Sequence, residues 1–210
     1  MTRVLIVDDH EIVRRGLKQI LIDEFKELEV GEAGDARQAM EAAHQKPWDI
    51  VLLDINMPGR SGLEVLEDLR QLRPELPVVV LTAFPEADFA IRSFKLGACG
   101  YVNKQSASDE LLAALRKALA GGRYITPSLA EKLAATLAGE VASDPHETLS
   151  NRELQVLRLI ASGRTIKEIA AQLSLSEKTV GTYRTRISAK MGLATNVELT
   201  RYALQHRLVD

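Results

Sequence analysis

Residues 50–59 read IVLLDINMPG, and they give the first indication of how this chain folds. The four leading apolar residues form the continuous hydrophobic run expected of a β-strand whose sheet is covered by helices on both faces. Val78–Leu81 is a second run of this kind, and shorter strand candidates lie at Val4–Val7, Leu28–Ala33 and Tyr101–Asn103. The first half of the chain therefore contains five predicted strands.

Segments with helical periodicity follow these strands. In the first of them, Ile12, Val13, Gly16, Leu17, Ile20 and Leu21 recur on one helical face. Later helices are predicted at Asp35–Gln45, Gly62–Arg73, Glu86–Leu96 and Ser108–Ala120. Strands that alternate with helices predict an α/β domain, a doubly wound five-stranded parallel sheet with strand order 2-1-3-4-5.

Four of the five predicted strands end in polar side chains. Asp8 and Asp9 follow the first strand, Asp54 the third, Thr82 the fourth and Lys104 the fifth, whereas the second strand ends in nothing similar. In an open parallel sheet, ligands bind outside the carboxyl ends of the strands. We therefore expect these side chains to meet in one pocket, with Asn56 just beyond Asp54.

The residue types in this pocket suit phosphoryl transfer. Crowded carboxylates require a cation, and hard oxygen ligands favour Mg²⁺. An aspartate can attack phosphorus to form an acyl phosphate, and Asp54 is best placed as the nucleophile because it ends the central strand. Lys104 would supply a second cation and Thr82 a hydroxyl donor. The alternative is that all are ordinary polar residues at points where the chain leaves the core, which five coincidences on adjacent strands disfavour.

Composition places the chain among globular proteins. Its 210 residues are 46% apolar, which argues against a disordered chain, and no apolar run approaches the ~20 residues that span a bilayer. Cys99 is the single cysteine, so no intrachain disulfide can form. With no signal peptide at the N-terminus, we expect a cytoplasmic protein without a membrane partner.

Charge is distributed unevenly along the sequence. Residues 1–120 contain 15 basic and 20 acidic residues (net −5), residues 121–150 contain 2 and 4 (net −2), and residues 151–210 contain 10 and 5 (net +5). An acidic body joined to a basic C-terminal region is typical of a protein in which only that region contacts nucleic acid. Uneven solvation of an ordinary surface is the simpler alternative.

The first 120 residues resemble the receiver domain of bacterial two-component response regulators, which has a flavodoxin-like fold. The matching motifs are Asp8-Asp9, residues 52–59 (LLDINMPG), Leu81-Thr82-Ala83 and residues 100–104 (GYVNK). The resemblance implies that Asp54 accepts a phosphoryl group from a sensor histidine kinase or an acyl phosphate. It implies Mg²⁺ bound by Asp9, Asp54 and the Asn56 backbone carbonyl, with Asp8 assisting. It also assigns Thr82 and Tyr101 to signal transmission through helix 4, strand 5 and helix 5.

Two further positions in this region need comment, Gln105 and His10. Many receivers have proline after the lysine, whereas Gln105 follows Lys104 here. His10 follows the acidic pair, but a site for a hard cation prefers oxygen ligands, so we expect His10 to begin the first helix at the surface.

The C-terminal region is helical, with the pattern helix, short turn, longer helix. Capping boxes at Ser150/Glu153 and Thr195/Glu198 mark two helix starts, and between them lie Ile166–Leu173 and Glu177–Met191. On the longer helix Val180, Ile187 and Met191 form one apolar stripe, and the opposite face is small, polar and basic. We expect that face to contact DNA through Lys178, Thr179, Gly181, Thr182, Arg184, Thr185, Arg186 and Lys190.

Within this set, the cationic side chains Lys178, Arg184, Arg186 and Lys190 are expected to contact phosphates, and Thr182 and Thr185 to contact bases. A solvated amphipathic helix in a bundle is the alternative. Residues 149–154 (LSNREL), 167–170 (KEIA) and 176–180 (SEKTV) resemble the LuxR-type domain of NarL/FixJ response regulators. Ile166, Gly181 and Tyr183 depart from the usual residues of that family, so its operator is not carried over.

These patterns predict three segments. They are a receiver domain over residues 1–120, a short helix (Pro127–Leu137) with an interdomain linker over 121–148, and an all-α helix-turn-helix domain over 149–210. Gly121 and Gly122 end the fifth receiver helix. The predicted protein is a phosphorylation-controlled transcription factor that binds double-stranded DNA, with an inverted repeat expected, as a homodimer. RNA polymerase is a further candidate partner.

Three other functions fit part of the sequence. An aspartyl phosphatase or phosphotransferase would use the same acidic site, but the C-terminal domain then has no role. A DNA-binding protein could use the receiver for dimerisation without phosphorylation, and a protein-only adaptor is disfavoured by the +5 charge of residues 151–210. We therefore expect no enzyme activity beyond slow gain and loss of a phosphoryl group at Asp54.

Overall fold

The chain folds into two compact units, Met1–Ala138 and Gly139–Asp210. The structure, a computed structural model, describes residues 1–83, 86–106, 108–137, 144–206 and 208–209. The predicted linker, residues 139–147, overlaps residues 138–143, which lie outside the described ranges. Only residues 144–147 of the linker can therefore be compared with the prediction.

The first unit contains a five-stranded parallel sheet with the order β2-β1-β3-β4-β5, which confirms the predicted order. The strands are β1 (Thr2–Val7), β2 (Leu28–Ala33), β3 (Ile50–Leu53), β4 (Val78–Thr82) and β5 (Gly100–Asn103). The helices are α1 (Glu11–Glu24), α2 (Ala36–Gln45), α3 (Gly62–Leu72), α4 (Glu86–Lys95), α5 (Ser108–Leu119) and α6 (Pro127–Leu137).

Helices cover the sheet, which explains why its strands are apolar without alternation. On one face, Leu17 of α1 and Leu115 of α5 pack against strand residues that include Ile6, Leu52 and Val79. The intervening strand residues are buried as well, so every residue of β3 and β4 is buried. Burial of such side chains contributes about 1.5–3 kcal/mol each, and this supports the strand ends that carry polar groups.

Local signals fix the ends of several helices. The side chain of Asp35 accepts a hydrogen bond from the backbone N–H of Gln38 at the start of α2, so Asp35 caps this helix instead of belonging to it. Ser61 and Glu64 form a capping box at the start of α3. Gly121 adopts φ +78° two residues after the end of α5, the left-handed conformation expected of a glycine that ends a helix.

The second unit is helical. It begins, among the described residues, with a 3₁₀ turn (Pro145–Thr148), followed by α7 (Asn151–Ala161), α8 (Ile166–Leu173), α9 (Glu177–Met191) and α10 (Asn196–Gln205). Both predicted capping boxes are present, and Thr165/Glu168 forms a third at the start of α8. The order helix, turn, helix over α8 and α9 has the predicted bounds.

Two details differ from the sequence predictions. Ile12 was expected on the inner face of α1, but it is 84% exposed, and Gly16 is exposed beside it. The buried face of α1 is narrower and centres on Leu17 and Leu21.

Two short elements lie near the boundary between the units. Helix α6 lies in the first unit and the 3₁₀ turn in the second; both belong to the segment predicted between the domains, and that prediction stays untested because residues 138–143 are not described. Contact with each unit accounts for this placement: α6 packs near α4, and the turn packs near α9. None of the described helices is long and apolar enough to cross a membrane.

Candidate functional site

Asp8, Asp54 and Lys104 meet at the carboxyl edge of the sheet. Val7 and Leu53 are paired in register on neighbouring strands, so Asp8 and Asp54 leave the sheet side by side. The Lys104 Nζ lies 2.5 Å from Asp8 Oδ2 and 2.6 Å from Asp54 Oδ2, and it therefore bridges the two carboxylates. The backbone N–H of Lys104 donates to the carbonyl of Thr82 at 2.8 Å, which fixes the loop after β5 to the end of β4.

Both bridged carboxylates are almost fully buried, at 2% exposure for Asp8 and 3% for Asp54. Burial raises the pKa of Asp54 above its ordinary value, although Lys104 and the N–H of Asn56 act in the opposite direction. Burial alone would lower the pKa of the Lys104 amine, but the neighbouring Asp54 and Asp8 carboxylates raise it overall. Lys104 is therefore a firmly protonated cation beside a poorly hydrated carboxylate.

Backbone groups hold the two carboxylates in place. The N–H of His10 donates to Asp8 Oδ1 at 2.9 Å, and the N–H of Asn56 donates to Asp54 Oδ1 at 3.0 Å. Each aspartate therefore forms a tight turn with the residue two positions later. Asp54 Oδ2, on the other side of the carboxylate, faces the Lys104 ammonium.

Asp9 completes an acidic cluster that fits a divalent cation. Carboxylate oxygens of Asp8, Asp9 and Asp54 and a ring nitrogen of His10 lie within 4.8 Å of one another. Asp9 Oδ1 is inaccessible to solvent and accepts no hydrogen bond in the described part of the chain, although His10 Nδ1 lies 2.9 Å away. An orphaned carboxylate oxygen among other hard donors is the arrangement that Mg²⁺ would satisfy.

His10 has a larger role than the sequence indicated. It lies at the N-cap of α1 at the surface, as expected, but its ring contacts both Asp9 and Asp8. In the sequence, the position of His10 directly after Asp8 and Asp9 was the signal that could have indicated these contacts. Imidazole is a softer ligand than Mg²⁺ prefers, so the oxygen atoms still define the chemistry of this cluster.

Gly62 supports the site through its lack of a side chain. A Cβ at this position would lie 1.9 Å from the Asp54 carbonyl oxygen and 2.8 Å from its carbonyl carbon. The N–H of Gly62 also donates to the carbonyl of Ile55, which closes the loop between β3 and α3. Sequence reasoning placed Gly62 only at a helix start, since the approach of these two backbone segments is a tertiary feature.

Thr82 and Tyr101 lie on the adjacent strands β4 and β5. Thr82 ends β4, is fully buried and pairs in register with Asn103, the last residue of β5. Tyr101 pairs with Val80 and is among the largest fully buried side chains described. The structure thus places Thr82 at the predicted strand end and Tyr101 packed inside the domain.

The predicted DNA-facing surface of α9 is exposed in most of its members. Val180, Ile187 and Met191 form the predicted buried stripe, while Lys178, Thr182, Thr185 and Arg186 are exposed on other faces. The Thr182 hydroxyl donates to the carbonyl of Lys178 at 3.0 Å, and that of Thr185 to the carbonyl of Gly181 at 3.1 Å. Among the described residues, nothing lies within 4 Å of where a Gly181 side chain would begin.

Three further residues of the predicted DNA-contacting set have partners within the protein. Lys190 Nζ contacts the buried Glu153 carboxylate at 2.6 Å, and it donates to the carbonyl of Thr148 at 3.4 Å. Arg184 donates to the side chain of Asn196 at 2.8 Å and to the carbonyl of Ala194. The backbone N–H of Thr179 donates to the Oγ of Ser176, the N-cap residue of α9, at 3.0 Å, and the two hydroxyls lie 2.8 Å apart.

Lys190 and Arg184 were expected to contact phosphates, and this expectation stays a prediction, since their contacts within the protein do not test it. Lys190 is attracted to Glu153, whose charge is costly to bury without a partner, and this fastens α9 to α7. Arg184 joins α9 to the start of α10. Both side chains have partners within the unit, although Lys190 stays 40% exposed. Lys178 and Arg186 are the exposed cations of the predicted set without an ion pair among the described residues.

Comparisons with known proteins match both units. The response regulator receiver domain family matches residues 4–116, and the family of bacterial regulatory proteins of the luxR type matches residues 147–203. The chain is 38% identical over 211 residues to the response regulator GacA of Pseudomonas aeruginosa, covering 100% of this chain and 99% of GacA. It is 37% identical to the response regulator UvrY of Escherichia coli strain K12, with coverage of 100% and 97%.

Solved structures show the same architecture. RcsB of Salmonella enterica serovar Typhimurium, bound to the rprA promoter with the phosphomimetic BeF₃⁻, is 29% identical with a TM-score of 0.65, covering 96% of this chain and 98% of RcsB. A second RcsB–DNA complex is 27% identical with a TM-score of 0.58, and the coverage is 96% of each chain.

Proposed function

This chain is a two-component response regulator of the NarL/FixJ type, a transcription regulator with a receiver and a LuxR-type DNA-binding domain, and we propose that Asp54 is its phosphoacceptor. The single observation that carries this assignment is the Lys104 ammonium in contact with both Asp8 and Asp54 at the ends of their strands. It supports a site in which a buried carboxylate is already beside the cation that an incoming phosphoryl group needs.

The proposed reaction is a displacement at phosphorus. A carboxylate oxygen of Asp54 forms the new O–P bond, while the P–N bond of a phosphohistidine or the P–O bond of an acyl phosphate breaks and the leaving group takes the bonding electrons. The N–H of Asn56 holds Asp54 Oδ1, so that the carboxylate keeps one orientation. Limited hydration of Asp54 favours attack, because less water has to be removed from the nucleophile.

Several residues would stabilise the phosphoryl group. Lys104 would move its ion pair from the Asp54 carboxylate to a phosphoryl oxygen, and the Thr82 hydroxyl would donate to another. Mg²⁺ held by Asp9, Asp54 and the Asn56 backbone carbonyl, with assistance from Asp8, would neutralise negative charge on the phosphoryl oxygens.

Signal transmission would start at the same contacts. The Lys104 N–H bonds to the Thr82 carbonyl, so a displacement of either residue acts on the ends of both β4 and β5. Tyr101 lies on β5, two residues before Asn103, and its packing would respond to a movement of Thr82. We propose that this change alters the surface of α4, β5 and α5.

The output would be DNA binding by α9 of a homodimer, with α10 in the dimer contact and an inverted repeat as the target. Exposed Lys178 and Arg186 would contact phosphates, and Thr182 and Thr185 would lie closer to the bases. A sensor histidine kinase would supply the input, and RNA polymerase is a candidate partner of the output. The protein would act in the cytoplasm, where the DNA lies. The chain would have no enzyme activity except slow gain and loss of the phosphoryl group.

Selection from a randomised DNA pool, with and without beryllofluoride and Mg²⁺, tests this function. Beryllofluoride mimics the phosphoryl group on Asp54, so an inverted repeat should be enriched in the activated wild type and not in Asp54→Asn. Asp23→Asn is the matched control, because Asp23 lies exposed on α1 and should leave the selection unchanged. Equal enrichment with and without beryllofluoride would instead assign the receiver a role that is independent of phosphorylation.

A turnover assay separates the regulator from an aspartyl phosphatase. We expect the full chain to release about one equivalent of product from a small phosphate ester or acyl phosphate and then to turn over only slowly, since Asp54 must lose its phosphoryl group before it can react again. Rapid multiple turnover that is lost in Asp54→Asn would favour the enzyme.

A further inference from the structure

A second cluster of titratable side chains lies in the C-terminal unit, on elements other than α9. Asp144 precedes the 3₁₀ turn, His146 lies within this turn, and His206 is the C-cap residue of α10. About 60 residues separate the turn from His206 in sequence, so only the fold brings them together. The response regulator function described above uses none of these three residues.

The distances within this cluster suit a metal ion. Asp144 Oδ1 and His206 Nδ1 are 3.4 Å apart, and one ligand atom from each of Asp144, His146 and His206 lies within 4.8 Å of the others. Ligands at 2.0–2.1 Å from a tetrahedral ion are about 3.4 Å apart. The Asp144–His206 edge already has that length, and a movement of about 1 Å would bring His146 into the same geometry.

Tyr202 orients both imidazole rings. Its hydroxyl lies 3.0 Å from His146 Nδ1, and its ring stacks on that of His206 with centroids 4.1 Å apart. A ring nitrogen held by an outer partner favours metal binding through the opposite nitrogen, and stacking limits rotation of the second ring. The rings are therefore preorganised by a residue that does not itself have to bind the ion.

The donor set points to a transition metal and not to the cation expected in the receiver. Two imidazole nitrogens with one carboxylate oxygen suit Zn²⁺ and related divalent ions, whereas Mg²⁺ prefers oxygen ligands throughout. The side chains of Asp144 and His206 retain 38% and 32% of their exposure, so an ion could enter and water could fill the remaining position.

A cluster of ordinary hydrogen bonds is the alternative explanation. The Tyr202–His146 contact and the Asp144–His206 pair would then only fasten the turn to α10. This alternative accounts for each contact separately, but it does not require all three ligand atoms to converge on one point.

We propose that Asp144, His146 and His206 form a binding site for a divalent transition-metal ion, with Zn²⁺ as its best match. The ion would join the 3₁₀ turn to the C-terminal end of α10. Because Thr148 of that turn also accepts a hydrogen bond from Lys190, metal binding would brace the attachment of α9 as well. Metal availability would thereby adjust the stability of the DNA-binding unit independently of Asp54.

Zn²⁺ titration of the full chain tests the proposal, with Mg²⁺ present throughout to fill the acidic cluster of the receiver. The chain has four histidines, so NMR of their ring protons distinguishes His146 and His206 from His10 and His44. We expect the signals of His146 and His206 to change saturably with one equivalent of Zn²⁺. Calorimetric titration should give an affinity that His206→Gln or Asp144→Asn lowers at least about tenfold.

His44→Gln is the matched control, because His44 lies on α2 in the other unit and should leave the Zn²⁺ affinity unchanged. His206 is at an exposed helix end, so its substitution should preserve the fold, which circular dichroism checks. Zn²⁺ should also raise the unfolding midpoint of the wild type and not that of His206→Gln. No saturable change at His146 and His206, or equal affinity in wild type and His206→Gln, would overturn the proposal.

Discussion

At Gly62, the carbonyl oxygen of Asp54 occupies the space in which any other residue would place its Cβ. This contact links the first residue of α3 to the residue that we propose as phosphoacceptor. A methyl group there would push the backbone of Asp54 outward, because the clash is with backbone and not with a flexible side chain. The geometry of the candidate site therefore depends on a residue with no chemical function of its own.

Gly62→Ala is expected to lose phosphoryl uptake from an acyl phosphate and to lower the free energy of unfolding by about 1–3 kcal/mol or more. Phosphate-affinity electrophoresis and urea denaturation measure these effects. Gly16→Ala is the control, since Gly16 is exposed within α1 and no described atom lies within 4 Å of its added Cβ. That change should stabilise by about 0.5–1 kcal/mol and leave uptake intact. Normal uptake in Gly62→Ala would contradict the predicted displacement of Asp54.

Part of the candidate site could be predicted from single residues, because they lie at the ends of predicted strands. Asp8, Asp54 and Lys104 each follow an apolar run, and a parallel sheet brings such positions to one edge. The contact of Gly62 with Asp54 depends on how the start of α3 approaches the loop after β3, and the contact of His10 with Asp9 on how the side chains of two neighbouring residues approach each other. Neither hydrophobic periodicity nor turn chemistry specifies those approaches.

At the scale of elements, α9 has two kinds of cation. Lys178 is exposed near its start, whereas Lys190 near its end is attached to Glu153 of α7 and to the turn before α7. A helical wheel gives both lysines a polar position, so the sequence did not separate them. Glu153 explains the difference, because a buried carboxylate recruits the nearest cation.

Lys178→Met and Lys190→Met should therefore have different effects. In a plot of log binding constant for the selected DNA against log salt concentration, Lys178→Met is expected to make the slope shallower by about one unit, without a loss of stability. Lys190→Met should lower the free energy of unfolding by about 1–3 kcal/mol, since Glu153 loses a partner. Fluorescence anisotropy at several salt concentrations and urea denaturation measure the two quantities. An unchanged stability in Lys190→Met would return Lys190 to the DNA surface.

The Glu153–Lys190 pair should also make stability depend on pH. Burial acts to raise the pKa of Glu153, but hydrogen bonds from Lys190 and Ser150 lower it overall, below the ordinary value of 4.5. A lowered carboxyl pKa contributes stability that is fully present above the unfolded value and is lost as pH falls through the folded value. We expect the thermal unfolding midpoint of the C-terminal unit to fall as the pH drops below about 4.5. In Lys190→Met this midpoint should depend less steeply on pH.

Helix ends were more predictable than helix faces. Ser150/Glu153 and Thr195/Glu198 form the expected capping boxes because this motif is complete within four residues. Ile12 was placed on the wrong face, since its apolar character continues the pattern of α1 although the sheet lies on the side of Leu17 and Leu21. An exposed apolar residue next to a periodic stripe is indistinguishable from it in sequence.

At the scale of the whole molecule, each of the two units has its own core. The first is a sheet covered by helices, and the second is built on α7, α9 and α10, with residues such as Leu157, Val180 and Leu199 fully buried. The alternation of strands and helices and the helix-turn-helix followed from periodicity, and the strand order followed from the doubly wound fold that this alternation indicates. The assignment of α6 and of the 3₁₀ turn did not, because both are short and their membership depends on contacts with α4 and α9.

Calorimetry of the full chain should resolve two unfolding transitions. Mg²⁺ is expected to raise the midpoint of the receiver transition, since it would bind the folded acidic cluster, and its removal by a chelator should reverse the shift. Lys190→Met should lower the midpoint of the other transition only. A single transition that responds to both changes would mean that the units unfold together.

The sheet order has a consequence for the making of the protein on the ribosome. Strand β1 pairs with β3 in the register Val4↔Ile50, so β1 cannot complete its hydrogen bonding until β3 has been synthesised. Long-range pairing of this kind is slow compared with closing a helical unit of local contacts. About 70 residues separate the end of α5 from the end of α9, and their translation takes on the order of ten seconds. We expect the nascent receiver to use this delay, so that it is already folded when the DNA-binding helix leaves the exit tunnel.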